Sequence, residues 1–171
     1  MFPKAVIDSG PLFSALVINY DMRGVRLGRS PRFTHVLTEP LQTSGAQKLL
    51  LDLLYSIGRR LTTSHAIAEL TGIESRLRLY GDDLLDFWRT SIDLLRQWDI
   101  DETLIRLLDL ASDKAFEECL PRIGITDTGL IELALKNRCV LITEDERTLA
   151  SQAGAMGVDC RLVRNLVAPA S

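Results

Sequence analysis

A three-layer α/β/α sandwich with a central, mainly parallel sheet of four to five short strands is the fold this sequence predicts, on three observations. Short apolar or β-branched runs recur at Lys4 to Ile7, Leu61 to Ser64, Cys139 to Thr143 and Cys160 to Val163. Between them lie helix-length stretches whose apolar residues fall at three- and four-residue spacing. Strand and helix in alternation build a parallel sheet covered on both faces. At 171 residues, 46% hydrophobic and 25% charged, the chain is sized for a single globular domain over 1–171 with a substantial core.

The first strand ends in Asp8-Ser9-Gly10-Pro11, a set of turn and helix-start residues, and Leu12 to Val17 continues as a helix. Residues 19–47 read as an irregular insertion, with Arg23, Arg26, Arg29 and Arg32 and no acid between Asp21 and Glu39. From Ala46 the stripe Leu49, Leu50, Leu53, Leu54 and Ile57 predicts a helix closed by Gly58. After the second strand, His65 to Tyr80 carries Ile67, Leu70, Ile73 and Leu77 on one face. Gly81 ends that helix, and Asp82-Asp83 open another with the stripe Leu84, Leu85, Trp88, Ile92 and Leu95.

Gln97 to Ile100 reads as a brief third strand, and Asp101-Glu102 as the start of a helix through Leu104, Ile105, Leu108, Ala111 and Ala115 that closes near Pro121. Asp127 then opens a helix with Leu130, Ile131, Ala134 and Leu135 facing inward, followed by the Cys139 to Thr143 strand. A last helix runs from Asp145 to Met156 and ends at Gly157.

The totals exclude some functions. The apolar runs are too short to span a bilayer, and the first residues meet Asp8 before a signal-peptide core can form, so a cytoplasmic protein with no membrane segment is expected. Cys119, Cys139 and Cys160 lack metal-ligand spacing and read as buried free thiols in a reducing compartment. Two histidines, His35 and His65, leave little material for His-based chemistry. A formal charge of −3 neither announces nor excludes a nucleic-acid binder. Trp88 and Trp98 fall near apolar stripes, as core or dimer contacts.

In parallel sheets the working site lies beyond the carboxyl ends of the strands. Asp8 follows the first strand, Glu69 stands early in the helix after the second, Asp127 starts the helix feeding the fourth, and Asp145 follows the fourth. Carboxylates gathered without a basic partner repel, and they remain ionised together only around a cation; Mg2+ or Mn2+ matches an all-oxygen donor set. Each acid also has a plain reading: Asp8 and Asp127 as helix caps, Glu69 as a solvated helix residue. Thr143 and Glu146 have capping-box spacing, which leaves Asp145 without a necessary capping task. If the four form one site, Asp127 and Asp145 stand within one ion's reach of each other and of Asp8.

Val6-Ile7-Asp8-Ser9-Gly10-Pro11-Leu12, Thr63-Ser64-His65-Ala66-Ile67-Ala68-Glu69-Leu70, Gly124-Ile125-Thr126-Asp127 and Val140-Leu141-Ile142-Thr143-Glu144-Asp145 resemble, in order, the four motifs of the PIN-domain nucleases. The resemblance implies a metal-dependent ribonuclease in which Asp8, Glu69, Asp127 and Asp145 bind one or two Mg2+ or Mn2+ ions, with Thr143 as a supporting hydrogen-bonding group. It also implies, as in VapC-type toxins, an RNA substrate, a homodimer and a small antitoxin protein. The 61 positions from Asp8 to Glu69 exceed the compact toxin pattern.

The arginines at 23, 26, 29 and 32 read either as an RNA-contacting arm or as a solvated loop, and Arg59-Arg60 have the same two readings. Two other functions fit parts of the pattern. One is a non-catalytic PIN-like module that binds RNA or protein. The other is a phosphatase with Asp8 as nucleophile, disfavoured because that chemistry wants a second Asp where Gly10 stands.

Overall fold

Lys4–Ile7 (β1), Arg59–Thr63 (β2), Asp101–Thr103 (β3), Val140–Thr143 (β4) and Cys160–Leu162 (β5) form one sheet in the computed structural model, which describes residues 2–106, 110 and 114–168. All four pairings are parallel and the order is β3-β2-β1-β4-β5, so β1 lies at the centre. The helices are α1 (Ser9–Arg26), α2 (Ser44–Ser56), α3 (Ser64–Ile73), α4 (Gly81–Gln97), α5 (Lys114–Asn137), α6 (Leu149–Ala155) and α7 (Val163–Leu166).

Side chains alternate across a strand, and here both faces are apolar. Ala5, Ile7, Val140 and Ile142 pack on one side with Leu12, Leu16, Leu50, Leu54, Phe87 and Trp98 from α1, α2 and the end of α4. Val6, Leu61 and Leu141 pack on the other with Leu130, Ile131, Ala134, Leu149 and Ala153 from α5 and α6. Two helical layers enclosing one parallel sheet make the α/β/α sandwich. β1 and β2 begin in close approach: the Gly58 N–H donates to the Phe2 carbonyl at 3.0 Å, and a Cβ at Gly58 would stand 2.7 Å from the Pro3 oxygen.

Several boundaries differ from the sequence reading. α1 continues to Arg26 because Ile18 and Tyr20 keep its core face buried, and Gly28 at φ 79 turns the chain away after it. The irregular stretch is therefore 27–43. It is tied back by the Asp21 carboxylate, which accepts from the Arg32 and Phe33 amides at 3.0 and 2.8 Å, and by buried Phe33, Leu37 and Leu41.

α3 stops at Ile73 and runs on as a 3-10 turn, Glu74–Leu77, closed by Arg78 at φ 50 rather than at Tyr80. α2 and α4 are rotated from their predicted stripes: Leu51 is buried while Leu49 is exposed, and Phe87, Thr90, Ser91 and Leu94 are buried while Leu85 and Ile92 face out.

The third strand is Asp101–Thr103, not Gln97 to Ile100. Trp98 is drawn fully into the core as the C-cap of α4, and Asp99 at φ 48 makes the turn. An edge strand reading Asp-Glu-Thr has no apolar face to betray it and looks like a helix start. Leu108 and Ala111, and the side chain of Ala115, lie outside the described residues. α5 bends at Gly124 (φ 79, ψ 178), shortly after Pro121, so Asp127 sits in the first turn of its second segment. Val163 belongs to α7 rather than to the last strand. Cys119 is buried, Cys139 and Cys160 are only half-buried, and no disulfide joins any of the three. Among the described residues no helix is long and apolar enough to cross a membrane.

Candidate functional site at the acidic sheet edge

Asp8 follows directly on β1 and is held in place from several sides. Its N–H donates to the Ile142 carbonyl at 3.0 Å, continuing the ladder with β4. Oδ1 accepts from the Ser9 amide at 2.6 Å, and Oδ2 accepts from the Thr143 hydroxyl at 2.7 Å. The carboxylate is 7% exposed, and burial raises its pKa despite the lowering effect of these donors. Asp8 is thus the N-cap of α1, yet its side chain serves the adjacent amide rather than the second or third of the helix, where a cap does most. Capping does not exhaust its geometry.

Glu69 lies on the exposed surface of α3, and its Oε2 accepts from the Ser9 hydroxyl at 2.9 Å. The helix is capped by Thr63, whose hydroxyl accepts from the Ala66 amide at 3.1 Å, so Glu69 has no part in capping. Asp127 is half-buried, and burial pushes its pKa up to about 7, with the charges of Asp8, Glu69 and Asp145 adding to the rise. Ser9 meets both Asp8 and Glu69, and Thr143 joins Asp8 to Asp145, so these three acids lie together at the carboxyl edge of the sheet.

Asp145 corrects the sequence reading. The Thr143 and Glu146 capping box does not form: Thr143 accepts from the Asp145 amide at 2.9 Å, and Glu146 pairs with Arg164. Asp145 itself organises the turn into α6, its Oδ1 accepting from the Arg147 and Thr148 amides at 2.9 and 3.0 Å. Among the described residues its Oδ2 has only a long contact, 3.4 Å, from the Leu149 amide. One oxygen is structural and the other is nearly free.

Among the described residues no group of three or more His, Cys, Asp or Glu is arranged to hold a metal ion. The expectation of Asp8, Asp127 and Asp145 within one ion's reach is therefore not met by the carboxylates as they stand. The concentration of charge and the open donor arrangement are compatible. Backbone positions set the first, whereas side-chain torsions set the second. The charge is the more durable property. As a donor set, four hard oxygen ligands fit Mg2+ or Mn2+.

Three residues near these acids were missed in the sequence. Ser9 touches both Asp8 and Glu69. Glu144 is half-buried, with Oε1 lacking a hydrogen-bond partner; burial raises its pKa, while the Ser14 and Thr38 hydroxyls oppose the rise and Asp8 adds to it. Arg76 lies on the 3-10 turn after α3 and its charge reaches Glu144. Ser9 and Glu144 adjoin predicted acids in the chain and were legible as neighbours. Arg76 carried no sequence signal.

The arginines proposed as an RNA arm do not border this edge. At about 1.5 Å per helical residue, Arg23 lies roughly 22 Å along α1 from Asp8, and Arg26 lies further. Arg23 bonds Thr90 and pairs with Asp86 at 3.6 Å. Arg32 pairs with Asp83 at 3.6 Å and lies over the Phe33 ring, and the Arg29 amide donates back to the Gly24 carbonyl at the far end of α1. The Arg23 contacts join α1 to α4, and the Arg32–Asp83 pair fastens the 27–43 stretch to α4. Arg59 pairs with Asp101, and Arg60 donates to the Leu54, Tyr55 and Trp98 carbonyls. A groove of about 910 Å³ between α1, α2 and α4 is lined by Arg23, Arg26, Lys48, Asp52, Tyr55 and Asp93, among others; its mixed charges lie at the end of α1 away from the acids. Compared with known proteins, the chain matches no protein-family model and no curated protein.

Proposed function

We propose that this chain is a metal-dependent endoribonuclease of the PIN-domain kind. The observation that carries the reading is the run of hydrogen bonds along the sheet edge, in which Ser9 meets Asp8 and Glu69 and Thr143 joins Asp8 to Asp145. Asp8, Glu69, Asp127 and Asp145 would hold Mg2+ or Mn2+. The bound ion supplies activation of water and stabilisation of charge on the phosphodiester oxygens.

The chain's own residues do the orienting. Thr143 and the Ser9 amide each hold one oxygen of Asp8, leaving lone pairs directed elsewhere. The Arg147 and Thr148 amides fix Asp145 and leave Oδ2 available. Buried Thr143 joins Asp8 to Asp145, so the ends of β1 and β4 present their carboxylates as one unit. RNA is the proposed substrate; a small antitoxin partner, a homodimer and a cytoplasmic setting belong to the same reading.

The test is cleavage of single-stranded RNA by the purified protein in Mn2+. Cleavage that is lost in Asp8→Asn is the expected result. No cleavage, or an Asp8→Asn protein as active as the parent, overturns the proposal. A second reading, a non-catalytic module that binds RNA or protein, draws on the open donor arrangement. It predicts RNA retention without cleavage and without Mn2+ uptake.

A further inference from the structure

Ser9 begins α1 and is 6% exposed, between a carboxylate on its own strand end and one on another helix. Its hydroxyl lies 3.2 Å from Asp8 Oδ1 and 2.9 Å from Glu69 Oε2. A serine hydroxyl has one hydrogen, so it donates fully to only one of them. Asp8 Oδ1 already receives the Ser9 amide at 2.6 Å, and the shorter hydroxyl contact is with Glu69. The hydrogen belongs to Glu69.

Glu69 needs such a partner. It is exposed on α3, its long side chain loses rotamer freedom when held, and the neighbouring Asp8 charge repels it. The Thr143 hydroxyl is committed to Asp8 Oδ2. Among the described residues the Ser9 hydroxyl is the hydrogen-bond donor to Glu69.

We infer that Ser9 is a positioning residue whose hydroxyl clasps Glu69 beside Asp8, turning a surface glutamate into a member of the acidic edge with Oε1 free for a cation. The functional part of this inference rests on the metal-dependent reading above; the clasp itself does not. Gly10 and Pro11, the next two residues, have no hydroxyl to take over the task.

The experiment compares the parent, Ser9→Ala, Glu69→Ala and the double variant, with Ser9→Thr as the rescue. Two quantities are measured: melting temperature without metal, and Mn2+ affinity by electron paramagnetic resonance titration. Without metal, the effects of the two single changes on melting should fail to add by roughly 2 °C, the scale expected of one hydrogen bond in a chain this size. In Mn2+, Ser9→Ala should bind about tenfold more weakly, close to what one charge-assisted hydrogen bond contributes. Ser9→Thr should recover most of that loss, and Ser9→Ala should change little when Glu69 is already absent.

Additive melting effects overturn the clasp. A Ser9→Ala protein that binds Mn2+ like a metal-binding parent overturns the positioning role, whatever the melting shows. Non-additive melting in a parent that takes up no Mn2+ upholds the clasp and removes the metal-dependent reading instead.

Discussion

Asp127 reports on the burial and the charge at the sheet edge together. Its pKa is raised from an ordinary value of 3.8 to about 7, first by burial and then by Asp8, Glu69 and Asp145. Between those two values the folded protein holds a proton that the unfolded chain has released, so stability falls as pH rises. A shift of this size corresponds to about 4 kcal/mol at most. The carboxyl is only half-buried, and solvent screening reduces the cost to about 2 kcal/mol above pH 7. About half of that develops between pH 5 and pH 8.

Asp127→Asn removes the titration while keeping size and polarity. Urea unfolding of the metal-free parent and variant at pH 5, 6, 7 and 8 isolates the residue, because other groups titrate in both proteins. The variant should be the more stable at pH 8, by about 2 kcal/mol, with the advantage shrinking by about 1 kcal/mol at pH 5. A variant less stable than the parent at pH 8, or a difference that does not change with pH, refutes the electrostatic account. Mn2+ at a hundred times its dissociation constant should restore about 2.7 kcal/mol to the parent and much less to the variant.

Three further outcomes follow from single contacts. Thr143→Val deletes the donor to buried Asp8 and the acceptor for the Asp145 amide, and should cost about 1–3 kcal/mol in urea unfolding at neutral pH. At Asp145, →Asn keeps an oxygen for the Arg147 and Thr148 amides and should leave the melting temperature nearly unchanged, whereas →Ala should cost about 0.5–2 kcal/mol; both should abolish RNA cleavage, which separates capping from chemistry. Gly58→Ala drives a Cβ against the Pro3 carbonyl and should cost about 1–3 kcal/mol by calorimetry, with the loss confined to stability.

What the amino-acid sequence determined by itself was the set of strongly periodic elements and the order of the acids. β1, β2 and β4 were visible because buried parallel strands need apolar or β-branched residues on both faces, β5 because Cys160, Leu162 and Val163 make a short apolar run at the sheet edge, and Asp8, Glu69, Asp127 and Asp145 were placed because strand ends and helix starts fix one edge. Only tertiary structure decided the rest. The β3 strand has no hydrophobic signal, since its pairing partner β2, not its own side chains, makes it a strand. α1 runs past its apolar stretch because folding back of the 27–43 loop covers Tyr20 and Phe33 against α4. Spacing alone assigned the cap before α6 to Thr143, but Thr143 is drawn to Asp8 across the β1–β4 pairing, and Asp145 ties the turn that leads into the helix. The arginines looked like neighbours of the site because a sequence does not record that they sit at the opposite end of a long helix. Residue identity and period are local and survive in a linear text; which donor meets which acceptor is set by distances between elements, and those exist only once the chain has folded.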